Sequence, residues 1–310
     1  MKKTQFRNAR GFRNVSAKNP RIFARIHHIK FKFLITLLAW VLFGSAIAAA
    51  EEKANQIVSI GGSVTEIIYA LGEEDRLIAR DTTSIYPPKS FKLPDVGYIR
   101  RLSPEGVLSV NPDMIITLEG AGPPEAVDVI KSSNVPFVEI KERYDREGVI
   151  AKIQAVGKAL GVEKKAQDLV DQVNADFDTS EAIIGTVPTP KKVLFILSNN
   201  DGKILAAGAN TSAEGMIKMA GAENALVSMQ GYKPATDEAI IKAAPDVIVM
   251  MNRHGSEFTS ADEILSHPAI IGTPAGQSKS LIKMNGLYLL GYGPRTGQAV
   301  LELSQKIYGE

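Results

Sequence analysis

Metal and nucleophile chemistry needs donors or nucleophiles in convergent sets, and this sequence is short of both. It holds no cysteine and four histidines, which excludes thiolate metal sites, Cys nucleophiles and a lipid-modified N-terminal Cys. His27 and His28 fall in the first 50 residues, leaving His254 and His267. Two histidines are too few for a multi-histidine transition-metal site, and no His-Glu-x-x-His occurs. There is no Gly-x-Ser-x-Gly elbow and no phosphate loop ending in Gly-Lys-Ser/Thr. GYGPRTG at residues 291–297 is rich in glycine but lacks the dinucleotide fingerprint spacing, and it reads as a turn before the last helix. A carboxylate pair assembled by folding is the catalytic arrangement this leaves open.

What recurs instead is a placed glutamate. Residues 102–116 (LSPEGVLSVNPDMII) and 235–249 (ATDEAIIKAAPDVIV) share one pattern. A hydroxyl residue (Ser103, Thr236) is followed two positions on by a glutamate (Glu105, Glu238), then an apolar pair, then Pro-Asp, then an apolar run. The hydroxyl is a helix N-cap, Pro104 suits the first helical position, and each glutamate sits in a first turn. The helix dipole favours an acid there by about 0.3–1 kcal/mol, which accounts for either glutamate alone. Pro112 and Pro245 stop the helices, and MIIT and VIVM read as buried strands.

The elements around this repeat are α/β. QIVSI and RLIAR are strands flanking a helix from Val64 to Leu71 that Gly72 ends; a Pro-rich loop follows, and further on a helix from Glu125 and the strand VPFVEI. Residues 145–190 carry a helical pattern broken at Gly161, whose second half places Ala166, Leu169, Val170, Val173 and Phe177 on one stripe. From Lys191 the strand KVLFIL, a loop SNNDGK, the strand ILAAG and a helix at Thr211 to Ala220 lead into the second copy. The expected architecture is two Rossmann-like α/β lobes with mainly parallel central sheets, residues 51–144 and 191–310, joined by a single long helix within 145–190. Ligands of such sheets lie off the carboxyl ends of the strands, so a cleft between the lobes is the expected site.

Ten of the 36 Lys and Arg lie in residues 1–50, which hold no acid and continue into an apolar stretch ending in Ala48-Ala49-Ala50. This is the pattern of a secretory signal cleaved near Ala48 to Ala50, the rival being an uncleaved membrane anchor. The remainder carries 26 basic against 34 acidic side chains. It is acidic, so nucleic acid is not an expected partner. A periplasmic monomer is the expectation.

Over nearly all of the exported part the sequence resembles the periplasmic substrate-binding proteins that serve cobalamin, siderophore and heme importers. VSIGGSVTEIIYALG, both copies of the repeat and the linker helix carry that resemblance. DVGYIRRLSPEG, LEGAGPP and GYGPRTGQA are similar to the heme-binding members. The resemblance implies a non-enzymatic carrier that captures ferric heme and delivers it to an inner-membrane ABC importer. It singles out Tyr98 as axial ligand to the heme iron. A phenolate is an anionic oxygen donor suited to ferric iron, and a cationic neighbour and the iron itself favour its ionisation.

Arg253, after the strand VIVMMN, is implied opposite Tyr98, on the ligand or its tyrosine. Arg100 and Arg101 are candidates for the propionates, His254 is a lesser candidate for the iron, and Tyr232 and Tyr292 are candidates for stacking on the ligand. Ser198-Asn199-Asn200 stands where some members that stack two hemes carry a histidine. Glu105 and Glu238 resemble the paired glutamates with which the family docks on its permease. A ferric siderophore or a cobalamin-type corrinoid is the rival ligand, and an exported cleft hydrolase the rival from another class.

Overall fold

Apolar runs without alternation form strands when helices cover both faces of a parallel sheet, and that condition is met in the first lobe. The computed structural model describes residues 54–185, 189–252 and 260–309. The expected export signal in residues 1–50, Arg253 and His254 lie outside the described residues. β1 (Ile57–Ile60), α1 (Gly62–Ala70), β2 (Leu77–Arg80), α2 (Pro104–Leu108), β3 (Met114–Leu118), α3 (Pro124–Lys131) and β4 (Phe137–Ile140) follow in order. The four strands are parallel, in the order β2-β1-β3-β4. The strand order reverses between β1 and β3, where the chain leaves an open crevice at the carboxyl ends.

Two helices make the linker. α4 (Arg146–Leu160) is capped by Asp145 and closed by Gly161 in the left-handed region at φ 66°. α5 (Glu163–Ile184) buries Ala166, Val170, Val173 and Phe177, the stripe expected from its periodicity. Gly157 of α4 faces Ala166 so closely that a Cβ would not fit, which holds the two helices together.

In the second lobe β5 (Lys192–Asn200), β6 (Lys203–Ala207), α6 (Ser212–Met219), β7 (Glu223–Asn224), β8 (Tyr232–Pro234), α7 (Asp237–Ala243) and β9 (Val247–Asn252) are followed by three short helices, α8 (Ala261–Leu265), α9 (Pro268–Ile271) and α10 (Pro274–Ser278). β10 (Leu281–Asn285), α11 (Gly286–Leu290) and α12 (Thr296–Tyr308) complete it, and α12 packs on α5. β10, β9, β5 and β7 are parallel, whereas β6 pairs antiparallel with both β5 and β8. This sheet is therefore mixed. The cause is local: Asp201 and Gly202 take φ 51° and 74°, the two-residue hairpin geometry in which Asp-Gly is favoured, so SNNDGK folds back as a hairpin.

Ile57, Ile153, Phe177, Phe195 and Leu303 belong to one buried cluster, so the first sheet, both linker helices and the second sheet share a continuous core.

Candidate functional site

A cleft of about 1040 Å³ opens between the lobes, at the upper end of the ~300–1,000 Å³ range of small-molecule sites. The first lobe lines it with residues directly after its strands: Gly61 and Gly62 after β1, Thr82 and Thr83 after β2, Glu119 after β3 and Glu142 after β4. The second lobe contributes Met251 and Asn252 at the end of β9, then Gly286, Leu287, Leu290 and Gly291 after β10. Both sheets thus point their carboxyl ends at one space.

The wall of the first lobe is held by a buried carboxylate. Asp81 accepts from Gly61 N at 3.0 Å, Thr83 N at 3.0 Å, Thr83 Oγ1 at 2.7 Å and Ser84 Oγ at 2.7 Å. Its side chain is fully buried, and these four donors satisfy it as a buried charge requires. A chain of hydroxyls, Ser59, Thr65 and Ser84, continues the network at 2.6 Å per step.

Tyr98 stands on the loop between β2 and α2. The loop is fastened to β2 by Val96 N to Arg80 O and Thr82 N to Gly97 O, each 2.9 Å. Gly97 has φ 104°, which a residue with a side chain rarely adopts, and Ile99 on the other side is buried among Val58, Ala79 and Ile115. Between that turn and that anchor Tyr98 lines the cleft with 39 % of its surface exposed. Arg100 and Arg101, in the short 3-10 turn Ile99–Arg101, also line the cleft and are exposed. Among the described residues neither guanidinium has an ion-pair partner. Glu119 is held below the usual carboxylate range by its hydrogen bond with Lys141.

Other candidates lie elsewhere. The Tyr232 hydroxyl meets Ser212 Oγ at 2.9 Å and accepts from Ala213 N at 3.2 Å, its ring stands edge-on to Phe195, and it does not line the cleft. Tyr292 is wholly buried and donates to Ser212 O at 2.6 Å. In this arrangement both tyrosines pack the second lobe. Asn199 is buried, its amide donating to Glu263 at 2.8 Å. His267 caps α9 through Ala269 N. Among the described residues no cluster of three or more His, Cys, Asp or Glu could hold a metal ion. Glu105 and Glu238 are exposed, on helices capped by Ser103 and Thr236. Tyr98 thus faces the cleft while Glu105, seven residues on, faces solvent outside it.

Sequence reasoning missed Glu142, Met251 and Leu287. Their one signal was position, at or just past a strand's carboxyl end.

Fold and cleft together define a two-lobe ligand-binding protein. The family described as "Periplasmic binding protein" matches residues 57–286, and the chain belongs to it. Among solved structures, a periplasmic heme-binding protein, RhuT, from Roseiflexus sp. RS-1 in its apo form is 36% identical, with a TM-score of 0.79, covering 83% of this chain and 98% of that one. A periplasmic heme-binding protein, BhuT, in complex with two hemes is also 36% identical, with a TM-score of 0.78 and coverage of 82% and 98%. The Vitamin B12-binding protein of Vibrio parahaemolyticus serotype O3:K6 is 24% identical over 267 residues, 85% of this chain and 93% of that protein. Among the described residues no helix is long and apolar enough to cross a membrane.

Proposed function

We propose that this protein captures ferric heme in the periplasm and delivers it to an inner-membrane ABC importer, with the Tyr98 phenolate as iron ligand. The observation that carries the reading is Tyr98 on the cleft wall beside two cationic side chains, Arg100 and Arg101. A phenolate answers the ferric iron, and guanidiniums answer the carboxylates at the macrocycle's edge. Leu118, Met251, Leu287 and Leu290 supply apolar contact for a flat ring. The likeness to two heme-binding proteins at 36% identity supports the same ligand. Arg253 directly follows the cleft residue Asn252, and its proposed role is to support the phenolate or a propionate. His254 stays a secondary iron donor, and Tyr232 receives a packing role.

Residues 1–50 are proposed to direct export, with cleavage near Ala48 to Ala50, and the mature protein to act as a monomer. Glu105 and Glu238 are proposed to dock on the permease, each lobe presenting one. No reaction is assigned to the cleft.

Hemin titration of the apo protein tests the ligand. The expected result is saturable binding with a high-spin ferric spectrum that collapses in Tyr98→Phe. Binding unchanged by that substitution would sink the iron-ligand assignment. The likeness to a B12-binding protein motivates a corrinoid as second reading; a corrinoid that displaces hemin and binds Tyr98→Phe equally well would favour it.

A further inference from the structure

The GYGPRTG segment does more than turn the chain. Arg295 reaches from the second lobe to Glu66 of α1, donating through Nε to Oε1 and through Nη2 to Oε2, each at 2.8 Å. Its guanidinium lies 3.4 Å from the ring centroid of Tyr86 in the first lobe and 5.1 Å from that of Tyr288 in the second. The Glu66 side chain is 5 % exposed, and Gly293 passes over it with so little room that a Cβ would sit 3.1 Å from Glu66 Cδ. Two further contacts lie on the same helix. Gly62 meets Leu287, where a Cβ would come within 2.5 Å of Leu287 Cδ1, and Ser63 shares the Lys152 ammonium with the Gly291 carbonyl.

Residues 62 and 66 are one turn apart, so these contacts run along one side of α1. On the other side of the seam they all fall within residues 286–295, which also supply Gly286, Leu287, Leu290 and Gly291 to the cleft. The ion pair therefore fastens the wall itself, one turn behind the cleft floor.

We propose that Glu66 and Arg295 are positioning residues which fix the separation of the two cleft walls and so set how long a ligand is held, without touching it. The walls cannot part without stranding a buried carboxylate and unstacking Arg295 from Tyr86. A bidentate guanidinium is suited to this because it fixes distance and direction together. This rests on the heme reading for its ligand, though not for its geometry.

The test pairs two readouts on Arg295→Met, Glu66→Gln and Arg295→Lys. The first is release of bound hemin to an excess of apomyoglobin. Release about tenfold faster is expected in the first two variants, because preorganisation acts chiefly through the dissociation rate, with the hemin spectrum unchanged. Arg295→Lys, which keeps the charge but loses the fork and the stacking, is expected between them and wild type. The second readout is hydrogen exchange of the apo proteins, expected to quicken at residues 62–66 and 286–291 ahead of the rest. Release within twofold of wild type together with unchanged local exchange would overturn the proposal, even if melting temperature fell. Should wild type fail to bind hemin, the ligand reading falls while the exchange experiment still decides the clamp. If the charge variants do not fold, Tyr86→Leu removes the stacking alone and is read in the same two ways.

Discussion

Lys152 Nζ lies 2.6 Å from Glu142 Oε1, where the first lobe, the linker and the second lobe meet. The lysine side chain is fully buried and the glutamate, on the cleft wall, is 13 % exposed. Ser63 Oγ at 3.3 Å and Gly291 O at 3.4 Å take the other ammonium protons. Burial pushes the Lys152 ammonium down and the Glu142 carboxyl up from their ordinary pKa values, and their mutual attraction opposes both shifts.

Removing one partner strands the other in a low-dielectric site. Lys152→Met alone should cost about 3–5 kcal/mol, whereas Lys152→Met with Glu142→Leu should recover most of that loss. Urea unfolding of the two single variants and the double variant measures the coupling. Additive losses would mean that the two groups act independently.

The repeat at residues 102–116 and 235–249 was legible because every part of it does local work. Ser103 caps Gly106 N and Thr236 caps Ala239 N, and Asn111 and Ala244, each before its proline, turn the chain at φ 51° and 47°. Asp113 accepts from Gln56 N and Asp246 from Lys192 N, each tying its strand to the start of the neighbouring one. Lys152 gave no such signal, since a lone lysine in an amphipathic helix reads as solvated and its burial depends on Ser63 and Gly291, which are remote in sequence. Arg295 was hidden likewise in a glycine-rich turn whose partner lies on another lobe. The antiparallel β5–β6 hairpin is not captured by reading SNNDGK as a plain loop, although Asp-Gly is itself a hairpin signal. Tyr98 is singled out by resemblance alone, since a single tyrosine in a glycine turn carries no pattern of its own.

Glu73 ties the end of α1 to both the turn after it and the linker. Burial raises its pKa, but Lys165 at 2.6 Å and Arg76 at 2.9 Å outweigh this and leave it depressed. A carboxyl depressed on folding contributes stability above its unfolded pKa, and that contribution is lost as pH falls through the lower folded value. Glu73→Gln should therefore be about 1–2 kcal/mol less stable than wild type at neutral pH. The gap should close towards pH ~3, where the carboxyl is increasingly protonated in both states. Urea unfolding across that range checks the convergence; a gap constant with pH would assign the loss to packing.

Gly62 sets the depth of the cleft. An added Cβ would lie 2.5 Å from Leu287 Cδ1 and 2.6 Å from Thr83 O, and the carbonyl cannot yield as a side chain can. Gly62→Ala should cost about 1–3 kcal/mol by overpacking and weaken hemin binding, and Leu287→Val should restore only part. Gly272 serves as control: it has open space around it and a negative φ, so Gly272→Ala should be neutral or stabilising by up to about 1 kcal/mol.

The proposed docking role of the exposed glutamates predicts that ligand capture and delivery can be separated. Neither Glu105 nor Glu238 lines the cleft, and in each helix the cap is made by the hydroxyl residue two positions earlier. Replacing both by alanine should therefore leave hemin affinity and spectrum unchanged while import by reconstituted transporter falls by about tenfold or more, as expected for charges that guide encounter and register. Each single variant should lose less, and wild-type delivery should weaken as salt is raised because exposed charges are screened. Lysine at both positions should be worse than alanine, since it adds repulsion from a basic partner surface. Undiminished import by the double alanine variant would remove these two residues from the docking surface and leave the Tyr98 assignment untouched.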